Sequence, residues 1–181
     1  EKLEMELGEK RPEDGGTKGD VKRHHQLYAI CDKITLFTGL GYGVTHSIAD
    51  RLSFVMSRTR RVNNILLDGI HLFSQRLTDG GLSLTNEGAK WVHQMMGEED
   101  GVPCVVIDGD AEPFIRDGRN VMHGFILECK GAPRNGIPCL LVNEAGELVG
   151  HGIAQCGQRE MIAFRKGIAV KVRGGINLVG D

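Results

Sequence analysis

The sequence predicts an α+β fold, in which a small α+β unit built on an antiparallel sheet precedes a small, partly closed β-barrel with short helices. Three observations carry this. Turn signals recur at short intervals between residues 57 and 81, as an antiparallel meander requires. A capped helical segment follows and stops at the acidic, glycine-bounded run Gly97-Glu-Glu-Asp-Gly101. Beyond that run, short apolar stretches alternate with glycine-marked turns and leave room for only two short helices. The expected organisation is a leader over 1–26, an α+β domain over 27–100 and a barrel domain over 101–181, with the domain boundary in the acidic run.

The first twenty residues carry seven acidic and four basic side chains, with Pro12 and Gly15-Gly16 and hardly an apolar residue after Leu7, which reads as a flexible acidic leader. Leu27–Phe37 has apolar residues at mixed spacing that fit a helix or an extended segment. Thr38-Gly-Leu-Gly-Tyr-Gly43 is a glycine loop, and Val44, Ile48 and Leu52 then fall at i, i+4 and i+8, the spacing of one helix face. Ser53–Ser57 and Val62–Leu67 read as strands flanking the basic turn Arg58-Thr-Arg-Arg61. Asp68-Gly69 is a hairpin turn, Ile70–Leu77 is extended, and Thr78-Asp-Gly-Gly81 turns the chain again. From Leu82 to Met96 the pattern becomes helical, with Thr85 as N-cap and Ala89, Val92 and Met96 on one face.

In the second unit Pro103–Ile107 is a strand, Asp110 the N-cap of a helix through Arg116, and Gly118 its stop; Pro113 sits in the first turn, where a missing N–H costs little. Val121–Leu127, Gly136–Val142 and Leu148–Ala154 are strands, with a turn at Glu144-Ala-Gly146. Glu160–Phe164 makes one helical turn before the closing strand Ile168–Arg173.

A net charge of −2 gives no hint of a polyanion partner, but a net value averages over segments. Five scattered cysteines without a Cys-x-x-Cys pair read as small buried hydrophobes of a reducing cytoplasm. No apolar run approaches the roughly 18 residues that a membrane span needs, so the expectation is a cytoplasmic protein without a membrane partner. The seven histidines show no metal-ligand spacing and no Gly-x-Ser-x-Gly occurs, so neither a metal, a cofactor nor a catalytic residue is assigned. Gly39, Gly41 and Gly43 fit a phosphate loop or a structural turn, and no Gly-Lys-Ser/Thr follows them.

The cations say more. Arg58, Arg60 and Arg61 place three charges within four residues of a turn, as a solvated loop or as a phosphate-contacting one. Arg159 to Arg173 carries Arg159, Arg165, Lys166, Lys171 and Arg173 against the single acid Glu160, the clustering that a backbone-binding face needs. Lys171 and Arg173 alternate with Val170 and Val172 and should leave their strand on its solvent side. With only 5% aromatic residues, stacking on single strands is disfavoured and duplex RNA read by shape fits better.

Ala111–Ile126, Gly136–Ala154 and Met161–Arg173 together resemble, in order and spacing, a full PUA domain, of the version found at the C-terminus of archaeal archaeosine tRNA-guanine transglycosylases. Ser57-Arg-Thr-Arg-Arg-Val62, Leu67-Asp-Gly69, Arg76-Leu-Thr-Asp-Gly80 and Leu82–Lys90 resemble the small α+β domain that precedes PUA there. The resemblance implies a PUA-type pseudo-barrel and a phosphate-facing surface made by Arg116, Gly118, Arg119 and Asn120, by His123-Gly124, and by Arg165-Lys166-Gly167 with Lys171 and Arg173. For Gly118 a simple helix stop is an equal alternative. In that family base exchange occurs in a separate (β/α)₈ barrel, for which 181 residues leave no room beside these units. The resemblance therefore implies RNA, and structured tRNA in particular, as partner of a non-catalytic module acting alone or beside a separate catalytic transglycosylase subunit. The alternatives are a stand-alone tRNA-modifying enzyme centred on Cys31, Asp32 and the glycine loop, and a ribosome- or translation-associated PUA factor.

Overall fold

The computed structural model describes residues 18–98 and 101–177. Helix α1 (Lys18–Thr38) leads through Gly39-Leu40-Gly41 to α2 (Tyr42–Ser47) and a 3₁₀ turn (Ala49–Arg51). Strands β1 (Leu52–Met56), β2 (Val62–Leu67), β3 (Ile70–Gln75) and β4 (Leu82–Leu84) pair in chain order as the expected antiparallel meander. Asp68 and Gly69 both take positive φ, 49° and 83°, the two-residue hairpin geometry that Asp-Gly favours. Helix α3 (Asn86–Met95) starts where Thr85 caps it, the hydroxyl accepting from the Gly88 amide at 3.0 Å while donating to the His71 carbonyl at 2.7 Å.

The second unit contains β5 (Cys104–Ile107), α4 (Glu112–Arg116), β6 (Val121–Met122), β7 (Ile126–Lys130), β8 (Pro138–Val142), β9 (Leu148–Ala154), α5 (Gln158–Ala163) and β10 (Ile168–Gly175). Its strands form one six-stranded sheet in the order β6-β10-β9-β8-β5-β7. All pairs are antiparallel except β5 with β8. Strands β6 and β7 lie at opposite ends of that order, yet only the 3₁₀ turn His123–Phe125 separates them in the chain. Three residues cannot span six flat strands spaced about 4.8 Å apart, so the sheet must curl until its edges approach, which makes the partly closed barrel.

Several expectations need correction. The leader assigned to 1–26 gives way to helix α1 from Lys18, and the remainder of that call, 1–17, lies outside the described residues. Of the two alternatives left open for Leu27–Phe37 the helix is the one formed, because Leu27, Ile30, Cys31, Ile34 and Phe37 fall on one face, packed into the core. The helix predicted from Val44 to Leu52 breaks after Ser47, and Leu52 already belongs to β1. Leu82–Leu84 is a strand rather than a helix start, its two leucines buried. Asp110 does not cap α4; Ala111 holds that position, and the Asp110 amide instead donates to Asp108 Oδ1 at 2.8 Å in a local turn. The single strand expected over Val121–Leu127 is split by the 3₁₀ turn that closes the barrel.

Burial divides into two clusters that share a wall. Val105, Ile107, Cys139 and Leu141 point into the barrel with Ile115, Val121, Val149, Met161 and Val170. Their neighbours in sequence, Cys104, Val106, Leu140 and Val142, face the other way and join Ile34, Leu40, Leu84, Ala89 and Val92 of the first unit. Both faces of β5 and β8 are therefore buried, which explains their unbroken apolar sequences. The expected boundary near residue 100 separates two sheets but not two cores.

Gly39 sits on this seam. Its φ is +74°, and a methyl group there would lie 2.3 Å from the Gly101 carbonyl oxygen. Close backbone packing thus explains the first glycine of the loop. His151 lies nearby in β9, 2% exposed, with Nε2 2.9 Å from Asn86 Oδ1 on α3. Burial pushes its imidazole down to about 4.

Gly39→Ala should lower Tm by about 4–8 °C, on the order of 2 kcal/mol of strain, and wild type should melt in one transition because the units share a core. Two resolved calorimetric transitions would contradict the shared core. For His151, the unfolded ring takes its proton near 6.5 and the folded ring only near 4, so the unfolded state binds more protons between those values. Stability is therefore complete above pH 6.5 and falls as the pH drops toward 4, by up to about 3 kcal/mol. Urea titrations at pH 7, 5.5 and 4 should show a shallower fall for His151→Gln than for wild type.

Candidate nucleic-acid interface

The predicted basic residues converge on the ribbon formed by β6 and β10. Met122 pairs with Ile168 and Val121 with Val170, and Asn120 Oδ1 accepts from the Val172 amide at 3.1 Å. This register sets Arg119 and Asn120 beside Lys171 and Arg173. At the other end the His123 amide donates to the Gly167 carbonyl at 3.1 Å, and Gly124 faces the Arg165 carbonyl, which a methyl there would meet at an ordinary 3.5 Å. The two basic groups thus occupy the two ends of one short ribbon, about four residues or ~13 Å apart at ~3.3 Å per residue.

Arg119, Arg165, Lys166, Lys171 and Arg173 are all exposed, and Lys171 and Arg173 leave β10 on its solvent side as their alternation requires. Arg119 is steadied by Phe114, whose ring centre lies 5.6 Å from the guanidinium carbon. Gly118, at φ +84° with open space where a side chain would begin, fits the helix-stop reading. Gly167, φ +96°, turns the chain between the two cations and β10.

Two members of the expected surface are turned inward. Arg116 is ion-paired with Glu112 (Nη2–Oε1 2.5 Å), its side chain is only 10% exposed, and its Nη1 donates to the Ile176 carbonyl. It fastens α4 to the chain after β10. His123 is 6% exposed, its Nδ1 3.1 Å from the Met161 carbonyl and its ring edge-on to Phe164 at 5.3 Å. Both are positioning groups beneath the surface. In the sequence each resembled its exposed neighbours, and no local pattern distinguishes an arginine with an i−4 glutamate partner inside from one outside. Asn120 is similarly occupied in holding β10, although its surface is exposed.

Sequence reasoning missed a set of exposed apolar side chains around the same turn. Phe125 (42% exposed), Phe164 (51%) and Ile168 (41%) stand beside Met122 and Ile162. In the sequence they fall only within segments read as strands and a helical turn. The surface is therefore mixed, with cations able to meet phosphate oxygens and flat apolar groups between them.

Arg58, Arg60 and Arg61 are exposed on the β1–β2 loop of the other sheet. The loop is tight, with the Ser57 amide donating to the Arg61 carbonyl at 2.7 Å and Arg60 held at φ 57°, so the three guanidiniums fan outward. Around Cys31, the centre of the enzymatic alternative, the chemistry is unfavourable: burial, with the adjacent Asp32 carboxylate, pushes the thiol up and away from the thiolate a nucleophile needs. Cys104 and Cys129 rise to about 11, mainly through burial. Among the described residues no helix is long and apolar enough to cross a membrane.

Residues 103–176 match the PUA domain, and residues 40–98 match the patch-forming domain C2 of tRNA-guanine transglycosylase. The tRNA-guanine(15) transglycosylase of Pyrococcus abyssi is 40% identical over 122 residues, 67% of this chain and 20% of that protein. That of Thermococcus onnurineus is 35% identical over 136 residues, 75% and 23%. The chain spans about a fifth of the length of these relatives. Among solved structures, a hypothetical protein of Pyrococcus horikoshii superposes with a TM-score of 0.63 at 19% identity, covering 83% of this chain and 90% of that one. A conserved PUA domain protein of Thermoplasma acidophilum gives 0.58 at 17%, covering 88% and 91%.

Arg116→Ala should lower Tm by several degrees, because Glu112 and the Ile176 carbonyl lose their buried partner, whereas Arg119→Ala should leave it within about 1–2 °C. Equal melting of the two variants would show that Arg116 does not fasten the corner.

Proposed function

We propose that this PUA-domain chain, similar to the C-terminal region of archaeal archaeosine tRNA-guanine transglycosylases, docks structured tRNA as a non-catalytic module or subunit of a cytoplasmic tRNA-modification system. The observation that carries the reading is the row of exposed cations at the two ends of the β6–β10 ribbon, which the His123–Gly167 backbone bond and the Asn120 side chain hold together. A fixed backbone under the cations leaves only their side chains to order on meeting a rigid polyanion, and each neutralised phosphate releases counterions. Arg119, Arg165, Lys166, Lys171 and Arg173 contact the RNA backbone; Arg116, Asn120 and His123 hold the ribbon in shape. The Arg58–Arg61 loop contributes a second, separate phosphate contact. In this reading base exchange falls to a separate transglycosylase barrel, and the Cys31 thiol, pushed up by burial and by Asp32, is disfavoured as a nucleophile of the alternative enzyme.

Binding of tRNA measured between 50 and 300 mM salt tests this. Arg119→Ala and Lys171→Ala should each weaken binding several-fold and lower the slope of log affinity against log salt by about one. Unchanged affinity and slope in both variants would defeat the reading.

A further inference from the structure

The chain has only two tyrosines, and the fold brings both to one place outside the basic ribbon. On α1, His24 and Tyr28 are one helical turn apart, with ring centroids 4.5 Å apart. On α2, Tyr42 and His46 repeat the i, i+4 spacing and stack at 3.5 Å with planes 21° apart. Crossing of the two helices sets Tyr28 against His46 at 5.5 Å. The result is a continuous row of four rings, His24–Tyr28–His46–Tyr42.

The row is anchored below and open above. His46 Nδ1 is 3.0 Å from the Tyr42 carbonyl and 3.3 Å from Thr45 Oγ1, which in turn lies 2.5 Å from Thr35 Oγ1 on α1. His46 Nε2 lies 3.2 Å from Asp32 Oδ1, at ion-pair distance though off the line of a hydrogen bond. These contacts fix the His46 plane and, through it, the Tyr42 ring. Tyr42 is nonetheless 62% exposed and Tyr28 40%. Next to Tyr42, Gly43 carries no side chain, and a methyl built there would meet nothing within 4 Å. One face of the Tyr42 ring is thus covered by His46 and the other is free.

We propose that this row is a stacking platform for an unpaired nucleobase of the RNA that the basic ribbon holds, an inference that rests on the RNA-binding reading above. The Tyr28 and His24 rings are tilted by 45° and 49° to their neighbours, so the stacked Tyr42–His46 pair is the part that offers an open flat face, which suits a single planar group; a cage for a methylated ammonium would need rings facing one another across a gap. The charged group beside the row is the Asp32 carboxylate, 62% exposed, which repels a phosphate and leaves the open ring face to a base. Stacking of this kind tolerates any base and adds no charge contact, which makes it complementary to the ribbon.

The test is fluorescence anisotropy with labelled hexaadenylate, a labelled RNA duplex and tRNA, using wild type, Tyr42→Ala, Tyr42→Phe, Tyr28→Ala and Lys171→Ala. Loss of one stacked base should weaken hexaadenylate binding about tenfold in Tyr42→Ala, with Tyr42→Phe within about twofold of wild type and the salt slope unchanged. Tyr28→Ala should weaken it in the same direction, so the result does not hang on the folding of one variant. Duplex affinity should not move. Equal hexaadenylate binding by wild type and both alanine variants, or a Tyr42→Phe loss as large as that of Tyr42→Ala, would overturn the platform. If Lys171→Ala still weakens tRNA in that case, the ribbon reading stands alone; if Tyr42→Ala weakens hexaadenylate while Lys171→Ala leaves tRNA unaffected, the platform stands and the ribbon reading fails.

Discussion

Burial of both faces of β5 and β8 is the constraint on which the rest of this structure depends. One face of that wall fills the barrel and the other receives α1, β4 and α3. Neither unit has a complete core without it. A wall shared in this way also fixes the two sheets relative to each other, because a one-residue slip in β5 would exchange Cys104 and Val106 for Val105 and Ile107 and mismatch both sides together. The close approach of Gly39 to Gly101 and the link between His151 and Asn86 lie along the same seam.

From that wall the sheet curls outward in both directions until its edge strands are joined through His123–Phe125. The cations gain their arrangement from this closure rather than from their places in the sequence. Arg119 and Lys171 are some fifty positions apart, yet Asn120 clamps β10 beside the helix-to-strand corner. His123, buried against Met161 and Phe164, locks the other end. A rigid ribbon with cations at its ends and apolar side chains between them suits a ligand that is itself stiff and charged.

Much of the fold was legible. The meander, the Asp68-Gly69 hairpin and the Thr85 cap were readable because each rests on local chemistry, a turn geometry or a hydroxyl reaching an amide. The failures were non-local. The described part of helix α1 up to Gln26 is a polar stretch that carries little pattern, and the helix's buried stripe is defined by the wall it packs on. The turn inside Val121–Leu127 exists because the barrel must close. At the interface, the clustering of Arg165, Lys166, Lys171 and Arg173 and the resemblance that added Arg119 picked out cations that are exposed in the fold. It could not tell that Arg116 and His123 turn inward, since that depends on Glu112, Ile176 and Met161 arriving beside them. Nor could a 5% aromatic content foretell that both tyrosines would meet in one row, since composition carries no positions.

The pairing of β6 with β10 also has a consequence for the order in which the molecule comes together. Val121 waits for Val170, 49 positions later, so the ribbon is a long-range contact whose formation carries a large loop-closure cost. The meander, by contrast, is assembled from neighbours. On a growing chain the apolar strands β5 and β8 can already be collapsing while β6 still lacks its partner. The surface that meets the ligand is thus among the last to form, and partly folded chains, whose wall is in place but whose edge is open, do not yet present it.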